Sequence, residues 1–493
     1  MKNTITTLKI LSFSIVILGT PLQASEFKLE HVKEFPKFGP MVRDLTSDTI
    51  TIVGQGKLSK KKPHVHGRAI LFEESADGQS DNGKSYTFEM LKDDRQVGFL
   101  NINGLKPNQQ YRISIGYAAG RVEDVGASQS QNISYSWEKA HSFRFMTAPI
   151  IQGDQFSILV GSCRRIGLFT PLMDAFGDKI FKGMVKNVEA LRAQGIKTNF
   201  VFFGGDQIYA DALNDFNPAK TFEEYAELYE KAFSLKHFRK LTASTGTPTF
   251  MQRDDHELWN DADAEEELKR QDQAAAGYKS YALYQRPQGP LTPKFWHTTQ
   301  NGVDTFFTDT RSERLPSKNL IMSVEQMDDL KSWMIAPERR NRIKIVTTSV
   351  PIFLLSTPDS WGGFNAQKLE LVDHIVKNKI EHLVFVSGDA HCQKDAQFKI
   401  YDHQGSDTGI NVVEVLVSGL FAITREKADF IRDQSEALVD GEGYILKSAT
   451  PLAETLKENL FARITGDQGT KKITISVHDK KNHLLKKEVE YQL

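Results

Sequence analysis

From Phe156 onward, short apolar, β-branched runs recur between long amphipathic stretches, and this alternation limits the fold more than any other feature of the chain. The runs are Phe156–Val160, Asn199–Phe203, Asp304–Thr308, Ile343–Thr347 and His382–Val386. A strand that is apolar along its whole length rather than at every second residue is covered on both faces. The covering layers come from the stretches between the runs, of which Gly183–Ala193 and Ala262–Tyr284 read as helices. Strands and helices in alternation define an α/β class with largely parallel sheets. Near the C-terminus, Ile473–Val477 and Leu484–Tyr491 flank Lys480–His483 and read as a closing hairpin.

The part before Pro149 is built differently. Thr49–Val53, Gly67–Phe72, Val97–Ile102, Tyr111–Tyr117 and Ser142–Met146 are short, spaced by turn residues and interrupted by few helical windows, the pattern of a β-sandwich. Gly104–Asn108 ahead of Tyr111 looks like the loop and tyrosine corner of fibronectin-type or Ig-like domains, and Thr147–Pro149 reads as a linker. Lys60–His66, with two histidines among lysines, reads as a solvated basic loop. At the N-terminus Lys2 and Lys9 precede the apolar run Ile10–Leu18 and the small pair Ala24-Ser25, which fits a cleavable secretory signal over residues 1–24. That run is too short to span a bilayer, so no transmembrane segment is expected, and the mature chain is expected to be secreted or periplasmic. With 62 Lys+Arg against 63 Asp+Glu, the chain lacks the charge excess of a nucleic-acid binder, and two cysteines exclude a disulfide scaffold.

The chemistry gathers where the strands end. Gly161-Ser162-Cys163 follows the first run, and Gly204-Gly205-Asp206 with Tyr209 and Asp211 follows the second. Asp254-Asp255-His256-Glu257 follows Pro248–Met251. Asp309-Thr310-Arg311 follows the next run, and Gly388-Asp389-Ala390-His391 the strand ending at Ser387. Loops at the carboxyl ends of parallel strands converge on one crevice. Carboxylates crowded there cannot all ionise without compensating charge. Carboxylate, imidazole, thiolate and phenolate are all metal ligands. A pair of cations supplies the missing charge, and such a pair can clamp a phosphoryl group and acidify a bound water.

Gly205-Asp206-x-x-Tyr209, Asp255-His256-Glu257 and Gly388-Asp389-Ala390-His391, in this order, resemble the sequence blocks of the calcineurin-like metallophosphoesterases. With Gly161-Ser162-Cys163, Asp309-Thr310-Arg311 and Asp359–Phe364 added, the chain is similar to the PhoD-like alkaline phosphatases. The resemblance implies an αββα catalytic domain over residues 150–493 behind a β-sandwich domain over 25–149. It implies that Asp206 bridges two metals, that Cys163, Tyr209 and His391 complete a ferric site, and that Asp389 and Asp255 lie at a second metal, commonly calcium. Asp254 stands beside Asp255 as an alternative ligand, and zinc or another divalent ion is an alternative metal. His256 is then the general acid or a phosphate donor, Arg311 the phosphate clamp, and Arg164 and Arg165 weaker candidates for that clamp. The expected activity is hydrolysis of small-molecule or lipid phosphate esters, as monoesters or diesters, by a monomer. Two rivals are a phospholipase D-type phosphodiesterase and a non-catalytic extracellular binding protein. A Cys163–Cys392 disulfide is a further alternative, and Asp211 reads as a cap or loop hydrogen-bonder.

Overall fold

The computed structural model describes residues 37–56, 64–75, 79–81, 83–120, 141–149, 155–166, 171–211, 218–300, 302–421, 438–439, 443–449 and 455–493. The expected signal at 1–24 and Lys60–Pro63 of the basic stretch lie outside these residues. The remainder of that stretch, His64–His66, opens a strand instead of forming a loop.

Seven strands make the N-terminal layer pair: β1 (Phe38–Leu45), β2 (Thr49–Gln55), β3 (His64–Glu74), β4 (Lys84–Met90), β5 (Val97–Asn103), β6 (Gln110–Gly120) and β7 (His141–Met146). A three-stranded sheet, β1-β2-β5, faces a four-stranded sheet, β4-β3-β6-β7. Side-chain alternation closes the core between them: Ile50, Ile52, Leu100 and Ile102 from the smaller sheet meet Ala69, Leu71, Ile113 and Phe143 from the larger. The tyrosine corner is present, with the Lys106 N–H donating to Tyr111 Oη at 2.9 Å.

The remaining strands are β8 (Gln155–Gly161), β9 (Phe200–Gly204), β10 (Thr249–Gln252), β11 (Trp296–Gln300), β12 (Val303–Phe307), β13 (Lys344–Thr347) and β14 (Leu383–Ser387). They continue with β15 (Gln393–Asp402), β16 (Asp407–Val417), β17 (Leu438–Val439), β18 (Tyr444–Ser448), β19 (Phe461–Asp467), β20 (Lys472–His478) and β21 (Val489–Gln492). They form a six-stranded sheet, β10-β9-β8-β19-β20-β21, and an eight-stranded sheet, β11-β12-β13-β14-β16-β15-β18-β17. The strands β8, β9 and β10 run parallel, as do β12, β13, β14 and β16. The antiparallel partners β19–β21 carry the smaller sheet to the chain's far end, and β20 with β21 is the expected closing hairpin.

Among the described residues the α-helices are α1 (Pro171–Gly177), α2 (Lys179–Ala193), α3 (Phe222–Phe233), α4 (Lys236–Ser244), α5 (Ala264–Lys269), α6 (Gln271–Tyr284), α7 (Val324–Ile335) and α8 (Asn365–Lys377). Period-two alternation sorts each strand's side chains to opposite layers. Ile158, Phe200, Phe202 and Phe250 face Ile345, Val384 and Val413 between the two sheets. Leu159, Val201, Phe203 and Met251 pack outward on α2, α3 and α4. Phe306, Val346 and Phe385 pack outward on α7 and α8. The result is the four-layer αββα arrangement expected. The stretch read as one helix over 262–284 is two, because Arg270, at φ −130°, breaks the helical backbone between α5 and α6.

The N-terminal sandwich packs closely on this body. Phe38, Met41, Val53 and Val97, on the outer face of its smaller sheet, belong to the same core cluster as α2–α4. The Phe38 ring lies 5.8 Å from Phe233 and 5.5 Å from Tyr284. Below this contact, Glu230 of α3 accepts from Arg95, Lys37 and Gln55.

Candidate metal centre

The loops after β8, β9, β10, β12 and β14 meet at one end of the paired sheets. Two glycines allow the approach. Gly205 has φ +104°, and a Cβ there would lie 2.5 Å from Asp254 Cβ. A Cβ on Gly388 would lie 2.7 Å from Ser162 Oγ and 2.8 Å from the Gly204 carbonyl, so the loops of the two sheets touch at that point. Any larger residue would push apart the segments that carry the polar groups.

Four expected ligands gather at Asp206, two of them on one of its carboxylate oxygens. Tyr209 Oη donates to Asp206 Oδ2 at 3.0 Å, and Cys163 Sγ donates to the same oxygen at 3.4 Å. His391 Nε2 lies 3.2 Å from Tyr209 Oη. Ligand atoms of Cys163, Asp206 and His391 fall within 4.8 Å of one another. A second group joins Asp206 to Asp254 and Asp389, and a third joins Asp206 to Asp255 and His256. Asp206 is common to all three, as a bridging ligand must be. Asp254, the alternative to Asp255, is therefore the residue grouped with Asp389. Asp255 instead accepts from the Asp261 N–H at 2.6 Å.

The electrostatics of the pocket call for cations. Burial, then the charges of Asp206 and Asp389, push the Cys163 thiol well above its ordinary range. Burial and the same Asp206 do this to Tyr209, and burial outweighs the pull of His256 on Asp206 itself. Burial raises Asp254 to about 7 against the pull of Arg311. Asp206 Oδ1 and Asp254 Oδ2 are buried without a hydrogen-bond partner. An unsatisfied buried carboxylate oxygen is costly. A cation beside each oxygen removes that cost, so the donor set fits a two-metal centre. The thiol–phenol–imidazole set suits a transition metal and the all-carboxylate set a hard cation.

His256 and Arg311 differ from each other in what they offer. His256 places Nδ1 at 2.8 and 2.9 Å from the two oxygens of Asp211, and its ring lies 4.2 Å from that of Tyr209. Burial lowers its pKa, but the carboxylates of Asp255, Asp206 and Asp211 outweigh burial and hold it at about 10. Arg311, expected to present an open fork to phosphate, is fully buried and already engaged. Nε donates to Asp254 at 2.6 Å, and Nη1 and Nη2 donate to Asp359 at 2.7 and 3.0 Å. In this structure it braces the Asp254 carboxylate. Arg164 is also fully buried, donating to the Ala232 carbonyl among Phe181, Phe233 and Phe238. Arg165 is half-buried with its guanidinium 5.3 Å from the Tyr209 ring centroid. Cys163 and Cys392 are both free, so the thiol is available as a ligand.

Three residues that shape the site lie outside the expected ligand set. Ser418 Oγ donates to Cys163 Sγ at 3.0 Å and accepts from the His391 N–H at 2.9 Å, linking the two sides of the first cluster. Asp211 orients His256, a finer role than the loop hydrogen-bonder expected. Glu257 accepts from the backbone of the ligand loops. Of these, Asp211 left a signal in the cluster after Tyr209 and Glu257 one as the last residue of Asp254-Asp255-His256-Glu257, where its acidity reads equally as a ligand, while Ser418 left none.

No curated protein matches the sequence. A solved structure of PhoD is similar over 94% of this chain and 91% of its own length, with a TM-score of 0.69 at 14% identity, which shows a shared fold. The fn3 domain of human contactin 1 aligns over 28% of this chain and 92% of its own length, with 15% identity and a TM-score of 0.15, too low to carry an argument. The family model for PhoD-like phosphatases matches residues 173–442, more than half of the chain. The chain therefore belongs to the PhoD-like phosphatases, a family of phosphoesterases.

Proposed function

We propose that this protein is an exported hydrolase of phosphate esters that works with two metals. The observation that carries the reading is the convergence of Cys163, Tyr209 and His391 on Asp206, with Asp254 and Asp389 on its other side. Cys163, Asp206, Tyr209 and His391 are the ligands of a ferric ion in this reading, and Asp206, Asp254 and Asp389 those of calcium, with Asp255 closing the carboxylate side. Such cations neutralise charge on the phosphoryl oxygens and make water acidic enough to serve as a nucleophile near neutral pH.

The chain's own residues handle the leaving group and the substrate's charge. A new bond forms between the water oxygen and phosphorus while the bond to the ester oxygen breaks. His256, with Nδ1 fixed on Asp211, gives its Nε2 proton to the departing alkoxide. No phosphorylated side chain is required. Arg165, at the Tyr209 ring and free of the carboxylates that occupy Arg311, takes the phosphate-clamp role. Residues 25–149 form the accessory sandwich in this reading, and 150–493 the catalytic unit. Among the described residues no helix is long and apolar enough to cross a membrane.

Asp206→Asn tests the scheme. Its purified form is expected to retain neither metal by elemental analysis and to lose turnover of p-nitrophenyl phosphate. Full activity in this variant would refute the two-metal reading. Parallel assays with the bis ester and with a phospholipid assign the monoester or diester preference, and N-terminal sequencing of the exported protein tests cleavage after Ala24.

A further inference from the structure

Glu257 is a buried carboxylate with no role in the chemistry above, yet three of its four described partners are backbone N–H groups of the candidate-ligand loops. Its Oε2 accepts from the Asp206 N–H at 3.1 Å and the Asp254 N–H at 2.8 Å. One oxygen thus ties together the loops after β9 and β10, each through the backbone of a candidate ligand. Its Oε1 accepts from the Gln207 N–H at 2.6 Å and from Gln285 Nε2 at 2.8 Å. Gln285 follows α6, and its carbonyl accepts from Arg43 Nη1 at 2.8 Å. Arg43 belongs to β1 of the N-terminal sandwich. Arg43, Gln285 and Glu257 are all fully buried.

We infer that Arg43, Gln285 and Glu257 form a positioning link through which the N-terminal sandwich sets the metal-ligand loops, so that the sandwich is part of the metal centre. The inference rests on the two-metal reading. The link has direction. Arg43 fixes the end of α6, and the Gln285 amide fixes the rotation of the Glu257 carboxylate. That rotation decides whether one oxygen can serve Asp206 and Asp254 together. The Asp206 backbone has φ +57°, a conformation a non-glycine residue keeps only when its surroundings hold it there. Partners one step removed from a metal typically govern about 10- to 100-fold of its affinity.

The test uses the full-length protein as isolated, with Glu257→Gln, Gln285→Leu, Arg43→Met and the double variant Gln285→Leu/Glu257→Gln. A graded chelator series is applied, and bound iron, zinc and calcium are counted at each step. The thermal midpoint of each metal-free form is measured in parallel. Glu257→Gln turns an amide NH2 toward backbone N–H donors and is expected to weaken metal retention about 10- to 100-fold. Gln285→Leu and Arg43→Met should weaken it by a smaller factor. The double variant should be no weaker than Glu257→Gln alone, because linked residues do not add. Arg43→Met also removes a buried cation, so its metal-free midpoint should stay level or rise while metal retention falls. A purely structural role would move both in the same direction. Wild-type retention in Glu257→Gln, or full additivity in the double variant, overturns the link. A wild-type protein that holds no metal overturns the two-metal reading as well. If Arg43→Met does not fold, the Gln285 variants decide the question alone.

Discussion

Cys163, Asp206, Asp389 and His391 share a backbone feature that their side-chain chemistry does not announce. All four lie in the left-handed region, at φ 57°, 57°, 65° and 54°. Each such residue costs on the order of 1–3 kcal/mol and survives because its neighbours dictate it. The left-handed turn reverses the chain shortly after a strand, so four groups from three separate loops reach one point. His256 is held differently, by Asp211 and the Tyr209 ring. Its replacement by Asn is expected to lower kcat about 100- to 10,000-fold while metal content stays at the wild-type level, measured by steady-state kinetics beside elemental analysis. Loss of metal in this variant would instead make His256 a ligand. The gathering of these groups was legible in the sequence, because thiol, phenol, imidazole and carboxylate at strand ends contribute little to packing and can bind cations. The occupation of Arg311 by Asp254 and Asp359 was not, since the Asp359–Phe364 motif marks the segment but not which side chain its carboxylate pairs with.

At the level of elements, what could be read followed how completely a segment's burial shows in its composition. The runs at β8, β9, β12, β13 and β14 are buried on both faces, and apolar composition alone marks them. The long hairpin β15–β16 is equally buried in its inner half but carries Lys394, Asp395, Gln397 and Glu414 there, so its pattern hides the strand. Those polar groups are satisfied locally: Glu414 accepts from the N–H groups of Ile352, Phe353 and Leu354 and from Ser387 Oγ. The helix α3 shows the opposite case, a start written in four residues. Thr221 Oγ1 accepts from the Glu224 N–H, and Glu224 Oε2 accepts from the Thr221 N–H at 3.0 Å, a closed capping box. Thr221→Ala is expected to cost about 1 kcal/mol, read from urea denaturation. Because α3 also supplies Tyr229, Glu230 and Phe233 to the sandwich contact, the loss should be felt beyond the helix end.

On the scale of the whole molecule, Glu230 joins the two parts of the chain. Burial raises its pKa, but hydrogen bonds from Arg95, Lys37 and Gln55 outweigh burial and leave it below the ordinary value. A carboxyl with a depressed folded pKa stabilises the native state above its unfolded pKa, and that contribution fades as pH falls through the folded value. Glu230→Gln should therefore cost about 2 kcal/mol at pH 7, where hydrogen bonds to the charged group are complete. The gap from wild type should shrink as the pH is taken down through the carboxylate range. Denaturation midpoints for both proteins across that range check the sign, and a gap that widens in acid would contradict it. The sequence showed two kinds of architecture on either side of Pro149 but not their contact, because Phe38, Met41 and Val53 carry the same alternation as residues facing inward.

The strand β8 delivers Cys163 while paired on one side with β9 and on the other with β19, residues 461–467. A chain emerging from the ribosome thus makes the first of these ligands early and its neighbouring strand among the last. Long-separated pairings of this kind close slowly. The edge that β8 offers to β19 therefore stays unpaired until residues 461–467 have been made, so the strand leading into Cys163 reaches its final setting late in synthesis.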